Sequence, residues 1–301
     1  MKHRSLIRAA DSHTNDRMFH ALQRNIVLIV GIVLAGFICA QAAPYLTMES
    51  GAASPAALQA QSPAGAVIAV LICMALATVI GAVAGRMVNA VVGMFVIGAG
   101  MFVLDGRLDT IRAIAFANTG SSSRAPLVLL AIEAAIWAAD VLGVSLAVFK
   151  IGGPLRDVQP DADGRTPHPL FSLEAMKSAA AGIIVLVAVV IIGQSPMKGQ
   201  MIGATFVGGM LAGLVARLVS PHVQPVLVFA STILFGAIGY VVAMAMLKMP
   251  LDAAYVADAL PALSRAMPLD YVAGALMGVA VGLGWARSFL QHEEQPVPAT
   301  A

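Results

Sequence analysis

Charged residues are scarce in this 301-residue sequence, where Asp, Glu, Lys and Arg together make up only 11%. An average soluble domain contains about 25% of these residues. Hydrophobic residues make up 59%, and they recur in blocks about twenty residues long, the length of a membrane-crossing helix. The composition therefore excludes a water-soluble globular domain and predicts α-helices that cross a lipid bilayer.

Cysteines, histidines and aromatic residues are also few. The two cysteines, Cys39 and Cys73, lie inside apolar blocks without CxxC or Cys/His spacing, so neither a disulfide nor a metal site is expected. The six histidines show no ligand spacing. A net charge of +2 is too small to favour nucleic acid. We therefore expect no cofactor, no metal and no nucleic-acid partner.

Eight apolar blocks predict an all-α, polytopic transmembrane bundle. Two short amphipathic segments, 108–118 and 251–266, are too short to cross and are predicted to lie in the membrane interface. The predicted spans are 25–46, 64–84, 88–104, 126–149, 178–193, 201–219, 223–247 and 271–290.

The first block allows a second interpretation. Ala40, Gln41 and Ala42 resemble a signal-peptidase site, so a cleaved secretory signal is the alternative to a first membrane helix. The basic stretch ahead of the block is long for a signal peptide, and the block has a counterpart in the second half of the chain. Both features favour a retained helix.

Basic residues indicate the orientation, because cytoplasmic loops are enriched in Lys and Arg. Twelve of the eighteen lie on the side of the N-terminus if eight spans are assumed. This excess predicts that the N- and C-termini are both cytoplasmic, as in a bacterial-type inner-membrane protein. The six on the opposite side are Arg107, Arg112, Arg124, Lys198, Lys248 and Arg265.

Two stretches recur in the same order. Leu108 and Asp109, followed by 123–127, match Leu251 and Asp252, followed by 264–269. We interpret this recurrence as a duplication into two four-helix halves, which an even number of spans makes parallel in topology. The resulting units are a basic tail (1–24), a first half (25–149), a cytoplasmic linker (150–172), a second half (173–290) and a C-terminal tail (291–301).

The fourth span carries acids at positions where hydrocarbon penalises charge. Glu133, Trp137 and Asp140 are spaced i, i+4 and i+7 and therefore share one helix face. A charged side chain at mid-bilayer costs about 2.5–3.5 kcal/mol on insertion scales. We predict a proton or cation path along this face, with Arg287 of the eighth span as a partner of Asp140. The alternative is that each acid is hydrogen-bonded and only fixes packing.

Glycines recur at four-residue spacing in two later spans. Gly274, Gly278 and Gly282 form one stripe, and Gly209 and Gly213 form another. Small residues at this interval let two helix backbones approach closely. We predict packing within the bundle, and the alternative is a dimer interface.

No sequence motif indicates an enzyme. Walker A, HExxH and GxSxG patterns are all missing from the sequence, and no catalytic residue is predicted. The leading hypothesis is a multi-pass inner-membrane transporter of a small solute or ion, or a permease-like subunit. The alternative is a non-catalytic scaffold or assembly subunit. The expected partners are the lipid bilayer and either a second copy of the chain or another membrane protein.

Overall fold

The structure, a computed structural model, describes residues 22–122, 124–155, 158, 164 and 166–293, with side chains up to 290. These residues form eleven α-helices and, apart from one isolated β-bridge between Thr47 and Ala53, no β-structure. The predicted all-α fold is therefore confirmed. The helices are α1 (Leu22–Tyr45), α2 (Pro63–Met87), α3 (Ala90–Asp105), α4 (Ile111–Ala117), α5 (Ala125–Gly152), α6 (Leu173–Ala180), α7 (Ile184–Ile192), α8 (Lys198–Val219), α9 (Val226–Met246), α10 (Leu251–Val256) and α11 (Pro268–Glu293).

Seven helical segments in the described part of the chain are long and apolar enough to cross a membrane. One of them is Leu173–Ile192, in which α6 and α7 are joined by the 3-10 turn Ala181–Ile183. A helix satisfies its own backbone hydrogen bonds, which hydrocarbon requires. Large apolar side chains such as Ile29 and Val79 are exposed on the outside of the bundle. The chain is a multi-pass membrane protein.

The remaining predicted span, the third (88–104), corresponds to α3, which is apolar but has only 16 residues. Its first residue follows the end of α2 after a two-residue connection. The Asn89 side chain caps α3 by accepting the Val92 N–H at 2.9 Å, and such a cap satisfies a helix-terminal N–H. The chain therefore turns sharply here, and α3 packs back against α2.

Helix ends meet at one end of the bundle. The Gln61 N–H donates to the Thr47 carbonyl at 2.7 Å, which ties the end of α1 to the start of α2. Gln59 Nε2 donates to the Pro126 carbonyl at 3.3 Å, so α5 also starts here. Further polar contacts, described below, show that α3, α7 and α9 also end here and that α8 and α11 also start here. We call this the Lys198 end, and the crossing helices alternate in direction with respect to it.

The short helices α4 and α10 contact each other at the Lys198 end. The rings of Phe116 and Tyr255 meet edge to face with centroids 5.5 Å apart. The Gly120 N–H donates to Asp252 Oδ2 at 2.8 Å, and this bond lowers the pKa of Asp252. Gly120 has a φ of +72°, a conformation that side chains with a Cβ rarely adopt. The two amphipathic segments thus connect the two predicted halves.

The closest backbone approach is between α8 and α11. A Cβ at Gly278 would lie 2.1 Å from the Phe206 carbonyl oxygen, and one at Gly282 would lie 2.0 Å from the Met210 oxygen. On α8, a Cβ at Gly213 would lie 2.6 Å from the Val279 oxygen. The structure thus brings together the two glycine stripes, with Gly274 against Thr205 and Gly209 against Ala275. Both stripes are used within one copy of the chain.

Helix bounds differ from the predicted spans by up to five residues. The predicted sixth and eighth spans begin at 201 and 271, whereas α8 begins at Lys198 and α11 at Pro268. The second half begins with α6 at Leu173, five residues before the predicted fifth span at 178. Parts of four predicted segments lie outside the described residues. They are residues 1–21 of the N-terminal tail, Ser123 of the recurring stretch, residues 156–157, 159–163 and 165 of the linker, and residues 294–301 of the C-terminal tail.

Replacing Gly278 by Ala is expected to destabilise the bundle by about 1–3 kcal/mol, the usual range for overpacking. Gly284 on the same helix is the matched control, because a Cβ there has nothing within 4 Å. Alanine at Gly284 is expected to leave stability unchanged or to raise it by up to about 1 kcal/mol through helix propensity. The measurement is the thermal unfolding midpoint in detergent. Equal midpoints for the two variants would show that the α8–α11 contact is not tight.

Candidate functional site

Glu133 lies on α5, about two turns from the Lys198 end, and its side chain is fully buried. Its carboxylate accepts the backbone N–H groups of Ala57 and Leu58, each at 2.8 Å, and the indole N–H of Trp137 at 3.0 Å. Ala57 begins a 3-10 turn whose N–H groups have no side-chain cap of their own. Three N–H donors satisfy a buried carboxylate well. Glu133 thus anchors the loop between α1 and α2.

Asp140 lies about two helical turns deeper, or roughly 10 Å along α5 at 1.5 Å per residue. Its side chain is half-buried, and Oδ2 is enclosed without a hydrogen-bond partner among the described residues. Arg287 is exposed on α11. Although α5 and α11 are in contact, no ion pair within 4.0 Å joins Arg287 to Asp140 in the part of the chain that the structure describes.

A buried ionic cluster lies where α3 ends and α8 and α11 begin. The Lys198 ammonium is 2.5 Å from Asp105 Oδ1 and 2.9 Å from Asp270 Oδ1. The two acids are 0% and 1% exposed, whereas Lys198 is 16% exposed. We call these three residues the ionic triad. Its three members come from three helices that are far apart in the sequence.

Two members of the ionic triad lie at unfavourable helix ends. The helix macrodipole favours acids near the N-terminus and cations near the C-terminus. Asp105 is the last residue of α3, and Lys198 is the first residue of α8. Asp270 fits its position, because its Oδ2 accepts the Met267 N–H at 2.5 Å and so caps α11. The positions of Asp105 and Lys198 therefore depend on their mutual attraction rather than on local helix stability.

The environment of the ionic triad is polar on one side. Thr205 Oγ1 donates to the Asp270 carbonyl at 2.8 Å. Tyr240, whose hydroxyl donates to the Ala266 carbonyl at 2.5 Å, lies within electrostatic range of Asp105, Asp270 and Glu133. Its ring meets that of Tyr271 at 6.2 Å and nearly at right angles. The ionic triad is thus surrounded by further buried polar groups on this side.

The sequence analysis did not single out two acids at helix ends that the structure buries. Asp270 lies in the first turn of a helix long enough to cross a membrane, and Asp105 is the buried last residue of α3. Predicted spans stop where apolar residues stop, but a helix continues when its polar terminal residues find partners. The available signal was an acid or lysine within three residues of an apolar block, which occurs at all three positions.

Four cavities among the described residues are lined by residues other than these acids. Their volumes are about 480, 380, 200 and 480 Å³, and none of the four is lined by Glu133, Asp140 or a member of the ionic triad. The described residues contain no group of three or more His, Cys, Asp or Glu side chains that is arranged to hold a metal ion.

No protein-family model matches the chain, and comparison with curated proteins and with solved structures gave no match. The class of protein therefore rests on the helices themselves, which are those of a multi-pass membrane protein.

Replacing Glu133 by Gln is expected to release the loop that it anchors. A carboxamide offers one acceptor oxygen and places an NH₂ group against an N–H donor, which leaves a buried donor unpaired at a cost of about 1–3 kcal/mol. Hydrogen exchange of the Ala57 and Leu58 amides is expected to accelerate at least about fivefold for each 1 kcal/mol lost. Glu49→Gln is the control, because Glu49 is exposed in the same loop. Equal exchange in both variants would contradict the anchoring role.

Proposed function

We propose that this protein is a transporter of a small solute or ion in which the ionic triad exchanges a proton or another cation. The observation that carries this proposal is a partly buried lysine held between two fully buried carboxylates from different helices. Ionisable groups inside membrane helices are expensive and are usually retained for function. Replacing a buried ion pair by apolar residues is often neutral or stabilising, so stability alone does not account for the triad.

Proton exchange at the triad follows from its charges. With both acids ionised and Lys198 protonated, the triad carries a net charge of −1. Asp105 Oδ2 has no hydrogen-bond partner among the described residues, so it is the oxygen on which we place an incoming proton. A proton there neutralises Asp105 and weakens its attraction for Lys198, which leaves the ammonium to Asp270. Because α3 contributes only Asp105, this step weakens the polar link between α3 and the other two helices.

We place the rest of the path along the fourth span. Asp140, with an enclosed oxygen that has no hydrogen-bond partner among the described residues, is the station closer to the centre of the membrane, and Arg287 is the cation at the far end of α11. The polar groups of Glu133 and Trp137 are hydrogen-bonded to each other and to the α1–α2 loop. We therefore assign these two residues to positioning that loop. This assignment keeps the predicted face of α5 but transfers the exchange step to the ionic triad.

We further infer eight membrane spans, with both termini in the cytoplasm and the Lys198 end outside the inner membrane. The alternating helix directions support α3 as a crossing helix. At 1.5 Å per residue its 16 residues extend about 24 Å, against about 30 Å of hydrocarbon. Local thinning of the bilayer accommodates such a mismatch at a fraction of a kcal/mol per Å.

We also infer that the chain is two duplicated four-helix halves. In this duplication α3 corresponds to α9, and α5 corresponds to α11. Exchanging the two halves therefore turns the contact between α3 and α11 into a contact between α9 and α5. Both contacts are present. The same exchange pairs α4 with α10, which also touch each other. These reciprocal contacts support an axis along the membrane normal.

Proton flux into vesicles tests the transport proposal. The full chain is reconstituted into phospholipid vesicles with a trapped pH-sensitive dye, and valinomycin with a potassium gradient imposes an inside-negative potential. Inward flux is expected to exceed that of protein-free vesicles. In the triple variant Asp105→Asn, Lys198→Met, Asp270→Asn, and in Asp140→Asn, flux is expected to fall to the protein-free level. Unchanged flux in the triple variant, or no flux above protein-free vesicles in the wild type, would overturn proton exchange at the triad.

The triple variant is preferable to removing Lys198 alone. Lys198→Met leaves two carboxylates without their cation, which is expected to destabilise the protein by about 3–5 kcal/mol. The triple variant removes all three charges, and Asn at position 270 can still accept the Met267 N–H. Its thermal midpoint is therefore expected to lie near that of the wild type, so that loss of flux reports on exchange rather than on folding.

A scaffold is the second candidate function, and Asp140 is the observation that favours it. A half-buried acid without a hydrogen-bond partner at mid-depth can be satisfied by a polar side chain from another membrane helix. A stoichiometric partner that copurifies with the wild type and is lost in Asp140→Asn would favour this function over transport.

A further inference from the structure

We propose that the seam between α5 and α9 at the Lys198 end binds one anionic phospholipid. The acyl chain lies in an apolar groove between the two helices, and the phosphate lies in a basic pocket at the mouth of that groove. Neither the transport proposal nor the scaffold alternative uses these residues. The inference requires only that the chain is embedded in a membrane.

The groove has a volume of about 380 Å³ and runs along the outside of the bundle. Small residues form its floor, including Ala131 on α5 and Ala237 on α9. Val128 and Val241 form part of its walls and are 41% and 52% exposed, so the groove faces the lipid. The backbone of both helices is already hydrogen-bonded within each helix, so the groove presents an apolar surface to the lipid. An acyl chain is the occupant that such a surface accommodates.

The pocket, with a volume of about 200 Å³, contains Arg124, Lys248 and Ser122. Val128 lies in the first turn of α5, which Arg124 precedes. Met244, which lines the groove, lies in the last turn of α9, and Lys248 follows two residues after the end of that helix. The two cavities therefore follow each other along one seam. An apolar groove with cations at its membrane-interface end is complementary to a lipid with a negatively charged headgroup.

Both cations are available for an anion. Arg124 donates one N–H to the Leu247 carbonyl at 3.3 Å, which holds the guanidinium at the mouth and leaves its other donors for a ligand. Neither Arg124 nor Lys248 forms an ion pair with an acid among the described residues. The pocket also lies at the N-terminus of α5, where the helix dipole favours negative charge.

A second groove shows why charge selects this seam. The groove between α1 and α2 is larger, about 480 Å³, and is also largely apolar. Its polar lining residues are Gln41 and Tyr45, and no Lys or Arg contributes to it. That groove can take an acyl chain from any lipid, whereas the α5–α9 seam discriminates by headgroup charge.

Native mass spectrometry tests the proposal. The full chain is released from nanodiscs that contain equal amounts of phosphatidylglycerol and phosphatidylcholine. We expect the wild type to retain one phosphatidylglycerol in preference. The double variant Arg124→Gln, Lys248→Gln is expected to lower the preference by about 25-fold or to unity, since each cation beside an anionic headgroup contributes about fivefold. Arg107→Gln, Arg112→Gln removes the same charge at the same end from exposed residues, and is expected to keep the preference.

A groove-filling variant separates a bound lipid from a bound phosphate. Ala135 is exposed in the groove, so Ala135→Phe is expected to fold normally and to displace the lipid although both cations remain. Addition of inorganic phosphate to the wild type is expected to leave the lipid bound. Lipid retention in Ala135→Phe, displacement by phosphate, or an equal preference in the two charge variants would each overturn the proposal. Helical circular dichroism and the thermal midpoint of each variant confirm that the fold is intact.

Discussion

Every polar group near hydrocarbon in this bundle must find its partner within the protein, because lipid offers none. Helix interiors meet this requirement by themselves, but helix ends do not. At the Lys198 end, side chains complete the ends: Glu133 serves the loop before α2, Asp270 the start of its own helix α11 and Arg124 the end of α9. Arg265 does the same for α7, donating to the carbonyls of Gly193 and Gln194. Most buried charge at this end is thus explained by backbone capping.

Asp105 and Lys198 are the exception to this pattern. They oppose the dipoles of the helices that carry them, and their ion pair with Asp270 is what makes their burial tolerable. This difference separates the ionic triad from Glu133, although both are buried acids near the same end. A carboxylate that accepts three N–H donors is fully occupied, whereas one held by a single lysine can exchange its partner. The transport proposal therefore rests on the triad.

The glycine contacts set how the triad can work. At Gly278 and Gly282 the backbones of α8 and α11 approach so closely that no side chain fits between them. Gly98 packs α3 closely against Leu276 and Met277 of α11 as well. Interiors packed at this density resist gradual deformation, so all three members of the triad are held on one rigid framework. The same rigidity leaves the outer seam between α5 and α9 as a separate, lipid-facing surface.

The sequence alone determined the class of protein, because the length and spacing of apolar blocks follow directly from the thickness of hydrocarbon. It also indicated the helix positions, the short helices α4 and α10, and the glycine spacing that close packing requires. It did not determine which polar residues act together. Asp105, Lys198 and Asp270 lie at positions as far as 165 residues apart, and no periodicity links them. Only the tertiary structure decided that Glu133 anchors a loop while those three meet, because a buried charge is defined by the partners that folding brings to it.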